Sequence, residues 1–219
     1  SFEVFPPKKE SGIETVYDTI EKLTDLKPDF ISVTYGAGGS GVTNPITKDI
    51  CSKIKNEYKL ETIAHLSCIN NTKDEIDKIL EELKKEGIDN ILALRGDRVE
   101  GLEPKKDFTY ASDLTKYIMD KGGFHVSGAC YPEVHMEAKD AVDDIKNLKK
   151  KVDAGADHLI SQLFFDNRVF YDFLERARIA DINVPIEAGI MPVTSKSQIE
   201  RMVTMCGASI PASLSRIMQ

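Results

Sequence analysis

Apolar runs only a few residues long alternate with amphipathic stretches from Phe2 to beyond Gly189. Phe30-Ile-Ser-Val33, Thr62-Ile-Ala-His65, Asn90-Ile-Leu-Ala-Leu94, Val126 to Ala129 and His158-Leu-Ile-Ser161 are too short for core helices and suit buried parallel strands. With Phe2 to Phe5 and Pro185 to Ala188 they predict seven strands. The stretches between them read as helices. Ser11-Gly-Ile-Glu14 and Thr72-Lys-Asp-Glu75 both fit the capping box, in which a hydroxyl and a later carboxylate satisfy free amides at a helix start. After Thr72, the residues Ile76, Ile79, Leu80 and Leu83 fall on one helical face and Gly87 closes the helix. Ala141, Ile145, Leu148 and Val152 make a second stripe, closed by Gly155, and Val169, Phe170, Phe173, Leu174 and Ala177 make a third.

Such alternation fits a closed (β/α)8 TIM barrel or an open doubly wound sheet. The ends of the strands favour the barrel. Arg95-Gly-Asp97 follows one apolar run, Thr34 and Tyr35 another, Ser67 and Cys68 a third, Tyr131-Pro-Glu-Val-His135 a fourth and Gln162 a fifth. A barrel gathers all its strand ends at one mouth, whereas an open sheet concentrates its ligand at one switch point. The run Gly36-Ala-Gly38-Gly-Ser-Gly41 satisfies G-x-G-x-x-G, with Glu57 or Glu61 about 20 residues on. It passes into Val42-Thr-Asn-Pro45 rather than opening a helix, so a loop at a barrel mouth is preferred to a dinucleotide fold.

The chain has 219 residues, enough for a single barrel domain over 1–219, and a formal charge of -7. No basic face for nucleic acid or an anionic membrane is apparent. No apolar run nears the length needed to span a bilayer, and no signal peptide is recognised. Cys51, Cys68, Cys130 and Cys206 are scattered without disulfide-scaffold or metal-ligand spacing. Reduced thiols in a cytoplasm, and no metal site, are the expectation.

Several polar residues can carry chemistry. Alternation puts Glu3 on the face of its strand opposite Phe2 and Val4, where desolvation would raise its pKa and suit a proton donor; a structural glutamate paired with Arg95 or a lysine is the alternative. Asp97 can stabilise positive charge on a substrate or serve as a turn or cap residue, and Gly96 beside it would let a flat ligand approach the backbone. His65 and His135 suit acid-base or hydrogen-bonding roles, or are satisfied polar residues. Gln162 suits an amide-bearing ring, or a core hydrogen bond. Tyr110 and Tyr131 can stack on a cofactor or simply pack. Asp144, Lys150 and Lys151 can be a solvated helix face.

Taken in order, Phe2-Glu-Val-Phe-Pro-Pro7, Ser32-Val-Thr-Tyr-Gly36, His65-Leu-Ser-Cys68, Ala93-Leu-Arg-Gly-Asp97, Tyr110-Ala-Ser-Asp113, Tyr131-Pro-Glu-Val-His135, Lys151-Val-Asp-Ala-Gly-Ala156, Gln162-Leu-Phe-Phe-Asp166 and Gly189-Ile-Met-Pro-Val193 resemble methylenetetrahydrofolate reductases almost end to end. The resemblance implies an eight-stranded barrel holding FAD, which passes hydride from NADH or another reduced donor to 5,10-methylenetetrahydrofolate. It implies Glu3 as the acid that opens the folate ring, Asp97 as stabiliser of the resulting cation and Gln162 as a pterin ligand. It implies Thr34, Tyr35, His65, Arg95, Gly96, Asp97, Tyr110, Ala111, Tyr131, His135, Ala138, Asp144, Asn147, Lys150 and Lys151 around the flavin, the lysines offsetting its diphosphate charge. It also implies homo-oligomers and a folate substrate. Two departures stand out. The chain stops at Gln219 before anything like the family's eighth strand, so a truncated barrel is expected. Lys196 stands where some relatives carry an aromatic that packs on nicotinamide or folate, which leaves room for an electron-donor protein in place of NADH. The rivals are a binding or subunit module that needs a missing segment or partner, and a nicotinamide dehydrogenase built on Gly36 to Gly41.

Overall fold

Strand and helix alternate throughout the computed structural model, which describes residues 1–7, 10–35, 45–98, 101 and 103–217, with only the backbone of Glu10 and Pro45. The glycine run at 36–41 lies outside the described residues. β1 (Phe2–Val4) leads to α1 (Ile13–Thr24), β2 (Phe30–Val33) to α2 (Pro45–Asn56), β3 (Glu61–Ser67) to α3 (Lys73–Lys85) and β4 (Asn90–Leu94) to α4 (Ala111–Lys121). β5 (His125–Cys130), α5 (Ala141–Asp153), β6 (His158–Ser161), α6 (Asn167–Ile179), β7 (Ile186–Glu187), α7 (Lys196–Cys206) and α8 (Ala212–Ile217) continue the pattern. The strand order runs with the chain from β1 to β7 without reversal. That is the order of a (β/α) barrel; a doubly wound sheet reverses at its switch point.

The contacts of the chain divide it into two units, Ser1–Val126 and Ser127–Gln219. In the first, parallel register aligns Val4, Val33, Ala64 and Ile91 across four strands. All four are buried and pack in one core with Ile20 of α1, Ile50 and Ile54 of α2, Ile76, Ile79, Leu80 and Leu83 of α3, and Leu114 and Ile118 of α4. Each fully buried isoleucine contributes roughly 1.5–3 kcal/mol, so this helix-facing side of the strands holds the unit together. The pleat then sends the next row, Glu3, Ser32, Ile63 and Asn90, to the other face. In the second unit Cys130 and Leu159 face Leu148, Phe173, Ala177 and Ile182 in a separate core. Ser127 and His158, paired in register, stand on the opposite face with Oγ and Nδ1 3.2 Å apart.

The two expected capping boxes behave differently. At α3, Glu75 N–H donates to Thr72 Oγ1 at 3.3 Å and Thr72 N–H donates to Glu75 Oε2 at 2.6 Å. The box expected at Ser11 does not form. Ser11 lies within a 3-10 turn, Glu10–Gly12, and Gly12 takes the N-cap position with φ -91 and ψ -3. A capping side chain needs extended backbone at its own residue to reach the free amides, and Ser11 is already coiled. Replacing Thr72 by Ala should therefore cost about 1 kcal/mol in urea unfolding, while Ser11→Ala should stay within about 0.5 kcal/mol of the parent. Equal losses at the two positions would show that neither cap is as described.

Candidate active site

On the face of the first unit turned from the helices, Glu3 and His65 come together: Glu3 Oε2 lies 3.6 Å from His65 Nε2. Glu3 keeps 44% of its side-chain exposure, yet the surrounding protein desolvates its carboxyl and raises its pKa. His65 is buried, and burial lowers its pKa to about 4. At neutral pH the contact thus joins a carboxyl group to a neutral imidazole, without the attraction of an ion pair. His65 Nε2 has no hydrogen-bond partner among the described residues. The neighbour of Glu3 is thus a histidine of β3, where the structural alternative read from the sequence paired it with Arg95 or a lysine.

Thr34 follows β2 directly; its N–H donates to Val4 O at 3.0 Å and its carbonyl accepts the Thr47 hydroxyl at 3.0 Å. Tyr35 turns the other way. Its ring packs against the helix-side core, and its desolvated hydroxyl, with a raised pKa, lies near Asn71 and Glu75 at the start of α3. The turn after β4 is tied to the turn after β3: Ile69 N–H donates to Arg95 O at 2.8 Å, and Arg95 Nε donates to Gly96 O at 3.2 Å. Gly96 has φ +88, and a Cβ there would stand 2.9 Å from Ser67 Cβ and 3.2 Å from Ile69 Cγ2. The protein's own β3 turn occupies the space a side chain would fill, and the backbone already demands glycine. Asp97 is exposed beyond it. Tyr110, 62% exposed, and Ala111 begin α4, where Asp113 accepts the N–H groups of Thr109 and Tyr110, both at 2.9 Å.

In the second unit, Tyr131 and His135 meet edge to face with ring centroids 4.6 Å apart. Ala138 N–H closes the turn onto His135 O at 2.9 Å. Asp144, on the first turn of α5, is desolvated and its pKa raised, against the opposing pull of a His135 backbone hydrogen bond and the charges of His135, Lys151 and Arg176. Lys151 is turned toward β5. Its stem covers Gly128, where a Cβ would stand 2.6 Å from Lys151 Cδ, and its ammonium donates to Ala129 O. Desolvation lowers its pKa, with Cys130 and Asp144 pulling the other way. Burial pushes the Cys130 thiol up to about 12, so it is an unreactive core residue. Lys150 instead reaches Asn147 Oδ1 at 3.0 Å on the outer part of the helix. Gln162 N–H donates to Cys130 O at 2.8 Å, and its side-chain Oε1 accepts Leu163 N–H at 2.8 Å. With that oxygen engaged, the amide nitrogen is the group left to meet a ligand.

The structure thus gathers Glu3 with His65, Arg95 with Gly96, and Tyr131 and His135 with Asp144, while Tyr35 packs on the helix-side core and Lys151 points from α5 onto β5. Asp113 and Arg176 were not singled out in the sequence. Asp113 was visible within Tyr110-Ala-Ser-Asp113, but nothing local marks Arg176. Among the described residues no group of acidic, histidine or cysteine side chains is arranged to hold a metal ion, and no helix is long and apolar enough to cross a membrane.

Strands in chain order, with polar groups at their carboxyl ends, define an α/β barrel fold, a class that generally binds its ligands at those ends. Solved tryptophan synthase structures share this fold: one from M. tuberculosis at TM-score 0.58 and 12% identity, covering 94% of this chain and 79% of its own, and one from Pyrococcus furiosus at TM-score 0.55 and 13% identity, covering 97% and 86%. The profile of the family described as methylenetetrahydrofolate reductase matches residues 1–219, and the chain belongs to that family of oxidoreductases. The 5,10-methylenetetrahydrofolate reductase of Escherichia coli (strain K12) is 42% identical over 217 residues, 99% of this chain and 72% of the relative. Methylenetetrahydrofolate reductase (NADH) 1 of Arabidopsis thaliana is 39% identical over 234 residues, 100% of this chain and 39% of the relative. The chain therefore spans about two fifths of the plant protein and about seven tenths of the bacterial one.

Burial of neutral His65 has a consequence for stability. Its folded pKa lies below the unfolded value, so its contribution is complete above about pH 6.5 and is lost as pH falls toward about 4, to a limit of about 3 kcal/mol. Urea unfolding of the parent and His65→Gln at about pH 7 and about pH 4 measures it. The variant should lose this part of the acid sensitivity; parallel curves would show that His65 titrates normally.

Proposed function

We propose that this chain reduces 5,10-methylenetetrahydrofolate to 5-methyltetrahydrofolate with FAD as cofactor and NADH as donor, NADH appearing in the name of the Arabidopsis relative. The observation that carries the reading is Glu3. It is an acid in the first strand, on the face turned from the helix core, and desolvation moves its carboxyl toward the proton-holding form. A general acid must keep its proton at the working pH until the reacting nitrogen needs it. Glu3 would give that proton to the nitrogen that leaves as the five-membered ring of the folate opens. The electrons of the broken carbon–nitrogen bond stay on this nitrogen, and the one-carbon unit becomes an iminium held by the other. Asp97, exposed past the β4 turn, would stabilise that cation, and the free amide nitrogen of Gln162 would donate to an acceptor on the pterin.

The residues present fit a flavin. The buried His65 Nε2 is unpartnered among the described residues and costs free energy until a polar ligand atom meets it. Exposed Tyr110 offers a ring at the start of α4, and Tyr131 with His135 offers an aromatic edge at the turn after β5. Reduced FAD, when bound, supplies the hydride; the side chains orient the substrate and hold the proton at Glu3.

Anaerobic visible spectroscopy tests this directly. The chain with FAD and NADH should lose its flavin absorbance, and added methylenetetrahydrofolate should restore it. Glu3→Gln should keep the first step and lose about 100-fold or more of the second. Loss of both steps together would make Glu3 a structural residue. Failure of the parent chain to bind FAD would set the reading aside.

A further inference from the structure

The turn joining β5 to α5 is strained in its middle and held from outside. Val134 has φ +73. A β-branched side chain resists that backbone, which persists only where the surroundings over-determine it. Two residues supply such restraint. Arg176 of α6 donates from Nη2 to Pro132 O at 2.9 Å. The Glu133 carboxylate accepts the Ser209 backbone N–H, with its oxygens 2.9 and 3.0 Å from that nitrogen. Ser209 lies in the connection between α7 and α8, which the turn meets a second time: Gly207, the left-handed C-cap of α7, sits so close to Met136 that a Cβ would be 2.8 Å from Met136 Cγ. The strained residue is thus flanked by anchored neighbours, and Tyr131 and His135 emerge at its two ends.

We infer that Glu133 and Arg176 are positioning residues: they brace the Val134 turn against the α7–α8 connection and α6, and thereby set the Tyr131–His135 pair in the arrangement that receives the flavin. This rests on the flavin reading above. Neither residue needs to touch the ligand. Glu133 works through the backbone of Ser209, an interaction that any acceptor at the same reach preserves. Arg176 works through the carbonyl of Pro132, a residue whose own nitrogen has no proton to give.

The test compares Glu133→Ala, Glu133→Gln and Arg176→Met in the whole chain by FAD titration, by visible circular dichroism of the bound flavin and by amide hydrogen exchange of the free protein. Glu133→Ala and Arg176→Met should weaken FAD binding about tenfold and alter the flavin dichroism. Glu133→Gln, whose Oε1 still accepts the Ser209 N–H, should bind within about threefold of the parent. Exchange should quicken at residues 131–138 in both disruptive variants, and at 207–210 in Glu133→Ala alone. Equal loss in Glu133→Ala and Glu133→Gln, or unchanged FAD affinity in Glu133→Ala, overturns the positioning role. Unchanged exchange in Glu133→Ala overturns the brace itself, whatever the titration gives. If the parent binds no FAD, the flavin reading fails, and the exchange data still decide the brace.

Discussion

Parallel pairing with a two-residue pleat is the constraint on which the rest depends. Once Val4, Val33, Ala64 and Ile91 are aligned against the helices, Glu3, Ser32, Ile63 and Asn90 have no choice but the other face. A slip of one residue would turn Glu3 toward the apolar core to which Val4 belongs, where an unpaired carboxylate costs several kcal/mol, of the order of the stability of the whole domain. The apolar row therefore stabilises the fold and also aims the polar row. Stability and the candidate site are set by the same register.

Desolvation, rather than pairing, governs the charge state of the groups gathered here. Glu3 and His65 lie 3.6 Å apart, close enough for a strong ion pair if both were charged. Each is shifted toward its neutral form instead, Glu3 upward and His65 down to about 4, because the surrounding protein desolvates both, His65 almost completely and Glu3 in part. The same balance holds in the second unit, where Asp144 is raised and Lys151 lowered despite their mutual attraction. For Glu3, Asp144 and Lys151 the shift is toward neutral pH, the direction that eases the gain or loss of a proton.

Packing also limits which residues remain open to ligands. The ammonium of Lys151 is engaged by the Ala129 carbonyl and its stem by Gly128, so the cation that family resemblance assigns to a diphosphate is here part of the β5 and α5 contact. Gly96 likewise serves the close approach of the β3 and β4 turns. Both residues sit in family motifs, and each also meets a packing contact of this fold.

Strand positions, helix stripes and the family were legible in the sequence, because a period of two or 3.6 residues and an ordered set of local motifs are properties of neighbouring residues. Phe30–Val33, Asn90–Leu94 and His158–Ser161 formed at the expected limits, and the α3 stripe of Ile76, Ile79, Leu80 and Leu83 is buried as its spacing required. Glu3 was identified by the same alternation. What the sequence left open is whatever depends on distant segments meeting. His65 as the neighbour of Glu3, Tyr35 turned to the core, Arg176 on the Pro132 carbonyl 44 residues away and Glu133 on an amide 76 residues away all follow from tertiary packing. A local pattern records which face a residue presents; only the folded chain decides what that face meets.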